Sequence, residues 1–152
     1  MSRKSAKISY WVATGLVSLV YLGGATFYIT AHDMVAGMYE GILKFPTYII
    51  WPLAILKIVA VVVLLWRPST FLSDFAYAAM FWHLLLAASA HLAAGDLGWP
   101  PAIVAWLALI VSFLTQNRVR ENKSPYGNLL NSADNRPSGQ PNTGWVVRPR
   151  PR

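Results

Sequence analysis

Apolar residues dominate four long stretches of the chain, and the polar residues gather between them and at the two ends. Ile8 to Ala31, Thr47 to Trp66, Phe75 to Ala94 and about 100–116 are the four. A helix needs about 20 predominantly apolar residues to cross the hydrocarbon core of a bilayer. The pattern therefore predicts an all-α protein, a transmembrane four-helix bundle. The fourth stretch, Ala102 to Gln116, is only about as long as a crossing requires even with Pro100 and Pro101 added, so it is expected to stand nearly upright.

The segments between the spans carry their own signals. In His32 to Phe45, residues Met34, Val35, Met38, Ile42 and Phe45 repeat at helical spacing, opposite Asp33, Glu40 and Lys44. That predicts a short interfacial helix between spans one and two. Pro46 precedes span two. Arg67 to Asp74 is expected to be a turn, with Pro68 ending one helix and Ser73 or Asp74 capping the next. Trp11, Tyr28, Tyr48, Trp51 and Trp66 lie near span ends, where amphipathic rings suit the interface. Gly15, Ser18, Leu22, Ala25 and Thr26 share a face of span one, and Gly23-Gly24 can kink that helix or admit a neighbour.

Composition agrees with this pattern. Charged residues make up 12% of the 152 residues, where a soluble domain averages about 25%, and hydrophobic residues make up 55%. The net charge of +7 sits mostly at the ends. The domain expectation is a basic head at 1–7, a four-span membrane domain at 8–117 and a disordered basic tail at 118–152, rich in Pro, Asn, Ser, Gly and Arg. Lys and Arg flank the spans on one side, at Arg3, Lys4, Lys7, Arg67, Arg118, Arg120 and Lys123, against Lys44 on the other. The positive-inside rule then places both termini of a multi-pass cell-membrane protein in the cytoplasm. The first apolar run is longer than the core of a cleaved signal peptide and three more follow it, so it is expected to be a span. The basic residues form no stripe interleaved with aromatics, which argues against nucleic acid as a partner. The absence of cysteine excludes thiolate chemistry and thiolate metal sites in this chain.

Candidate chemistry lies in the few polar residues within the spans. Lys57 falls at the middle of span two, where a lysine costs about 2.5–3.5 kcal/mol on insertion scales. It should face the bundle, with Ala54 and Ala60 beside it. Span three carries His83 and His91. On a helical projection they join Ala76, Ala79, Met80, Ala87, Ala90 and Ala94 on an inward face, with Phe81, Trp82, Leu85 and Leu92 outward. The two histidines are about 12 Å apart along the helix axis, too far to share a metal ion, and no metal site is expected. Each histidine can equally glue helices through a backbone carbonyl. A quinone carbonyl needs one or two donors in an apolar slot, and Lys57, His91, Tyr77 and Tyr21 are candidates. No hydrolase, kinase or nucleotide motif is present, and the loops are too short for a separate catalytic domain.

The order of several short motifs resembles the DoxX-like family of small four-span membrane proteins, over roughly Tyr10 to Gln116. The resemblance rests on Tyr10-Trp11 with Thr14-Gly15, Gly41 through Phe45-Pro46, Leu56-Lys57-Ile58, Ala76-Tyr77-Ala78, and Ala87 through His91 to Gly95-Asp96. His83 and Ala60 stand where relatives commonly carry other residues. The resemblance implies a subunit or accessory factor of a redox-linked, quinone-associated membrane complex, with a small apolar ligand pocket. It points to Lys57, His91 and Asp96, with Glu40, as pocket residues, and His83 and Tyr77 complete the candidate set. As an enzyme the chain would be at most a quinone-linked oxidoreductase subunit. The alternative is a non-enzymatic factor that assembles protein partners in the membrane.

Overall fold

The computed structural model describes residues 3–126. Among them are five α-helices: α1 (Arg3–Thr30), α2 (His32–Met38), α3 (Ile50–Trp66), α4 (Thr70–Ala94) and α5 (Trp99–Thr115). A π-helical turn, Tyr39–Leu43, extends α2, and 3-10 turns precede α3 and follow α5. Four helical segments are long and apolar enough to cross a membrane: Arg3–Thr30, Thr47–Trp66, Thr70–Ala94 and Trp99–Arg118. The expected architecture is present, including the short helix between spans one and two.

Neighbour relations follow from side-chain size. The buried line of α5 is Ala102, Ala105, Ala108, Ser112 and Thr115, with Leu109 beside it. Small residues at this spacing let two helices approach closely, and α5 packs against both α1 and α4. α1 also packs against α3, whereas α3 and α4 meet loosely. Around the bundle the order is therefore α3, α1, α5, α4, with an open seam between α4 and α3. The main core joins Val17 and Tyr21 of α1, Val61 and Leu64 of α3, Tyr77, Met80 and Leu84 of α4, and Leu109 of α5. Val35, Tyr39 and Ile50 form a second, smaller core under α2. Large apolar side chains such as Leu19, Trp66, Phe71 and Leu86 point outward all round, as a lipid-facing surface requires.

Several boundaries differ from the sequence expectation. α1 begins at Arg3, so the described part of the basic head is helical. α4 begins at Thr70 because Ser69, not Ser73 or Asp74, is the cap; its hydroxyl accepts from the Leu72 amide. Arg67 ends α3 in a left-handed conformation, φ 54°, with its amide on the Val63 carbonyl and Pro68 barring continuation. α5 starts at Trp99, and Pro100 and Pro101 fill its first turn, where a missing amide costs little.

Residues 118–126, at the start of the expected tail, carry hydrogen bonds to the bundle. Asn117 and Ser124 exchange two bonds: Asn117 Nδ2 donates to the Ser124 carbonyl, and the Ser124 amide to Asn117 Oδ1, both at 2.7 Å. Ser124 Oγ donates to Asp74. The rest of the expected tail, 127–152, lies outside the described residues.

Candidate functional site

The loose α3–α4 seam is a cleft of about 220 Å³. Apolar residues of α3 and α4, among them Leu56, Val59, Phe75 and Ala79, make its walls, and Lys57, His83 and Tyr21 are the polar residues lining it. Lys57 and His83 both fall near the middles of their spans.

Lys57 is 8% exposed, and Ala54 beside it is buried, so the inward face expected from the sequence is the one observed. The Lys57 Nζ lies 3.6 Å from the centre of the Tyr28 ring on α1, a cation–π contact. The Tyr28 hydroxyl is in turn 2.7 Å from that of Tyr39, so α2 and its π-helical extension fix the ring. Gly24, one turn before Tyr28, lets the lysine in: a Cβ there would stand 3.2 Å from Nζ. Among the described residues no carboxylate lies within ion-pair distance of Lys57.

His83 meets Tyr21 across the α1–α4 contact, Nδ1 to Oη 3.0 Å, and the same hydroxyl is 3.3 Å from the Met80 carbonyl. A phenol has one proton to give. Given to the Met80 carbonyl, which can only accept, it leaves the Tyr21 oxygen to accept from His83 Nδ1–H, so that Nε2 of the neutral ring is an acceptor for another group.

The other candidates lie elsewhere: neither His91, Glu40 nor Asp96 lines the cleft that holds Lys57. His91 sits in the last turn of α4 and donates from Nδ1 to Asp96, 2.7 and 2.9 Å to the two oxygens. Asp96 also accepts from the Gly98 amide at 2.8 Å. Those bonds, His91 first and then Gly98, hold the Asp96 carboxyl below its ordinary pKa. The eight residues from His83 to His91, about 12 Å of helix rise, carry this pair away from the cleft. Glu40 is exposed in the π-helical turn.

Tyr77 belongs to a hydroxyl chain between α1, α4 and α5. Thr14 donates to the Tyr10 carbonyl at 2.7 Å, which leaves its oxygen to accept from Ser112 at 2.7 Å, and Ser112 then accepts from Tyr77 at 2.7 Å. Each hydroxyl gives one proton and receives or ends on one acceptor, so the chain is closed.

The inward face of α4 is also displaced from the expected one. Its buried line is Ser73, Ala76, Tyr77, Met80, Leu84 and Ala88, with Ala79 exposed and both histidines at the edge. Phe81 and Leu85, expected to face lipid, are partly buried; Phe81 packs on Trp106 of α5.

The sequence pointed to Lys57, His83 and Tyr21 but missed Tyr28 as the lysine's partner, treating it as an interfacial aromatic. The available signal was spacing. Gly24 and Tyr28 lie four apart, a gap and a ring on one face of α1.

Four spans, an outward apolar surface and a polar-floored cleft define a multi-pass integral membrane protein associated with the lipid bilayer. No family model, curated protein or solved structure matches the chain.

Proposed function

We propose that this chain is a DoxX-like membrane protein, an accessory subunit of a redox-linked membrane complex, and that its α3–α4 cleft receives the head of a quinone. The observation that carries the reading is Lys57, a lysine in an apolar cleft with an aromatic face on one side and no carboxylate. Holding such a group at mid-membrane has a cost, about 2.5–3.5 kcal/mol on insertion scales. A ligand carbonyl offers the acceptor that the lysine otherwise lacks. His83 offers Nε2 as an acceptor, suited to a hydroxyl of the reduced quinone, and Tyr21 orients the ring through its other nitrogen. Because the seam opens between two spans, an apolar ligand can enter sideways from the bilayer.

In this reading Lys57 keeps the role that the resemblance gives it, and His83 and Tyr21 stand in for His91, Asp96 and Glu40. The basic ends of α1 and α5 orient both termini toward the cytoplasm. The test is ubiquinone-10 and menaquinone-8 retention by the full chain, purified in mild detergent and measured by mass spectrometry of the extract. Retention in the wild type and its loss in both Lys57→Leu and His83→Leu is expected. Equal retention in wild type and both variants overturns the reading.

A further inference from the structure

At the basic end of the bundle, a second cavity of about 400 Å³ lies between the start of α1, the end of α3 and the segment that follows α5, and it shares no lining residue with the α3–α4 cleft. Lys7, Arg67 and Arg120 line it, with Trp11, Trp66 and one carboxylate, Glu121. Three positive side chains face one negative.

The two arginines are fixed by neutral acceptors. Arg120 donates from Nε to the Tyr10 hydroxyl at 2.8 Å and from a terminal nitrogen to the Leu65 carbonyl at 3.2 Å, over the Trp11 ring at 4.9 Å. It thereby caps carbonyls at the C-terminal end of α3 that the helix leaves open. Arg67 donates to Gln116 at 2.6 Å and to the Asn122 carbonyl at 2.9 Å, and its buried Nε has no hydrogen-bond partner. Neither arginine forms an ion pair among the described residues. Lys7 is exposed at the rim.

Trp66 is 77% exposed and Trp11 43%, at the ends of apolar spans where indole rings sit among lipid headgroups. Basic pockets between spans at this level suit the phosphate of an anionic lipid. We propose that this cavity seats a phosphate group, that of an anionic phospholipid headgroup. Lys7 and the two guanidinium groups supply the charge, and Trp11 and Trp66 flank the glycerol and upper acyl chain. The lipid would tie the segment after α5 to the ends of α1 and α3. The site is independent of the quinone cleft.

Native mass spectrometry of the full chain, exchanged into detergent with equal phosphatidylglycerol and phosphatidylcholine, tests it. One phosphatidylglycerol per chain is expected to survive activation that strips phosphatidylcholine. Lys7→Gln should reduce that retention about five-fold, the factor for one basic residue at an anionic surface. Lys123→Gln makes the same charge change at the same end but does not line the cavity, and it should leave retention unchanged. Circular dichroism confirms that both variants keep the wild-type helix content. Equal retention of the two lipids, or equal loss in the two variants, overturns the site. Inorganic phosphate added in place of lipid separates the sources: occupancy by phosphate with no lipid retained overturns the lipid assignment.

Discussion

Two polar clusters lie within the spans of this bundle, and they are built on opposite principles. Tyr77, Ser112, Thr14 and the Tyr10 carbonyl form a one-way run of hydrogen bonds between closely packed helices, with every proton given and received. Lys57, His83 and Tyr21 line the loosest seam, and the lysine has a ring face where a carboxylate would be expected. Polar groups in a bilayer are costly in both places. In the first the partners are supplied internally, which is what helix glue requires. In the second a strong donor is left over, which is what a ligand requires. Satisfaction of hydrogen bonds, more than polarity or depth, separates the two.

The most severe way to break this contrast is Lys57→Leu. If the lysine serves a ligand, its removal relieves a buried charge, and the detergent-solubilised protein should become more stable by about 1 kcal/mol or more. Quinone retention should fall tenfold or more, since a charge-assisted hydrogen bond contributes about 1.5–3 kcal/mol. A drop in melting temperature would instead mark the Tyr28 contact as structural, and the two clusters would then be alike. Gly24→Val approaches the same point from α1. Its side chain enters the space beside the Lys57 ammonium, so retention should fall while the lysine stays.

Ser112→Ala is the complementary test in the closed chain. It strips Tyr77 of its acceptor and Thr14 of its donor in one step. Interhelical hydrogen bonds in membranes average about 0.6 kcal/mol and reach about 1.7, so a loss of about 1–2 kcal/mol is expected for the pair. Thermal unfolding in detergent measures it. Quinone retention should be unchanged, and a parallel loss of ligand would show that the two clusters are coupled.

Reading these clusters from the sequence succeeded where the signal was depth and failed where it was direction. Four apolar runs of spanning length can form little besides four membrane helices, and Lys57 is conspicuous because a central lysine is so unfavourable there. Which way each helix faces is harder. In water the polar side of a helix marks its outside, but in lipid the outside is as apolar as the core, so that marker disappears. α4 shows the consequence. Its alanines and histidines suggested one face, while the fold turned Tyr77, Leu84 and Ala88 inward to meet α1 and α5. Neighbour choice was equally hidden. The Gly24–Tyr28 spacing marks a face of α1 with room and a ring, but that Lys57 meets this face depends on α5 taking the place beside α4. His91 and Asp96 were expected in one pocket with Lys57, whereas they pair with each other in the connection between α4 and α5, beside the left-handed Gly95 that ends α4.

That connection gives the gentlest test, because it is neither glue within the spans nor a ligand site. The His91 ring lies against Gly98 so closely that a Cβ there would collide with it. Gly98→Ala should therefore push the ring off Asp96, while its amide can still reach the carboxylate. Asp96 is partly exposed, so the effect on stability should be the smallest of the series. Its sign with pH is fixed by the lowered carboxyl pKa. A carboxylate held below its unfolded value, 3.8, contributes stability that is fully present above that pH and is lost as pH falls through the folded value. The difference in melting temperature between wild type and Asp96→Asn should thus hold from neutral pH to pH 5 and shrink below about pH 4. Quinone retention should be the same in wild type, Gly98→Ala and Asp96→Asn. A loss of ligand in either variant would bring the outer pair back into the site and undo the separation between closed and open clusters on which the cleft assignment rests.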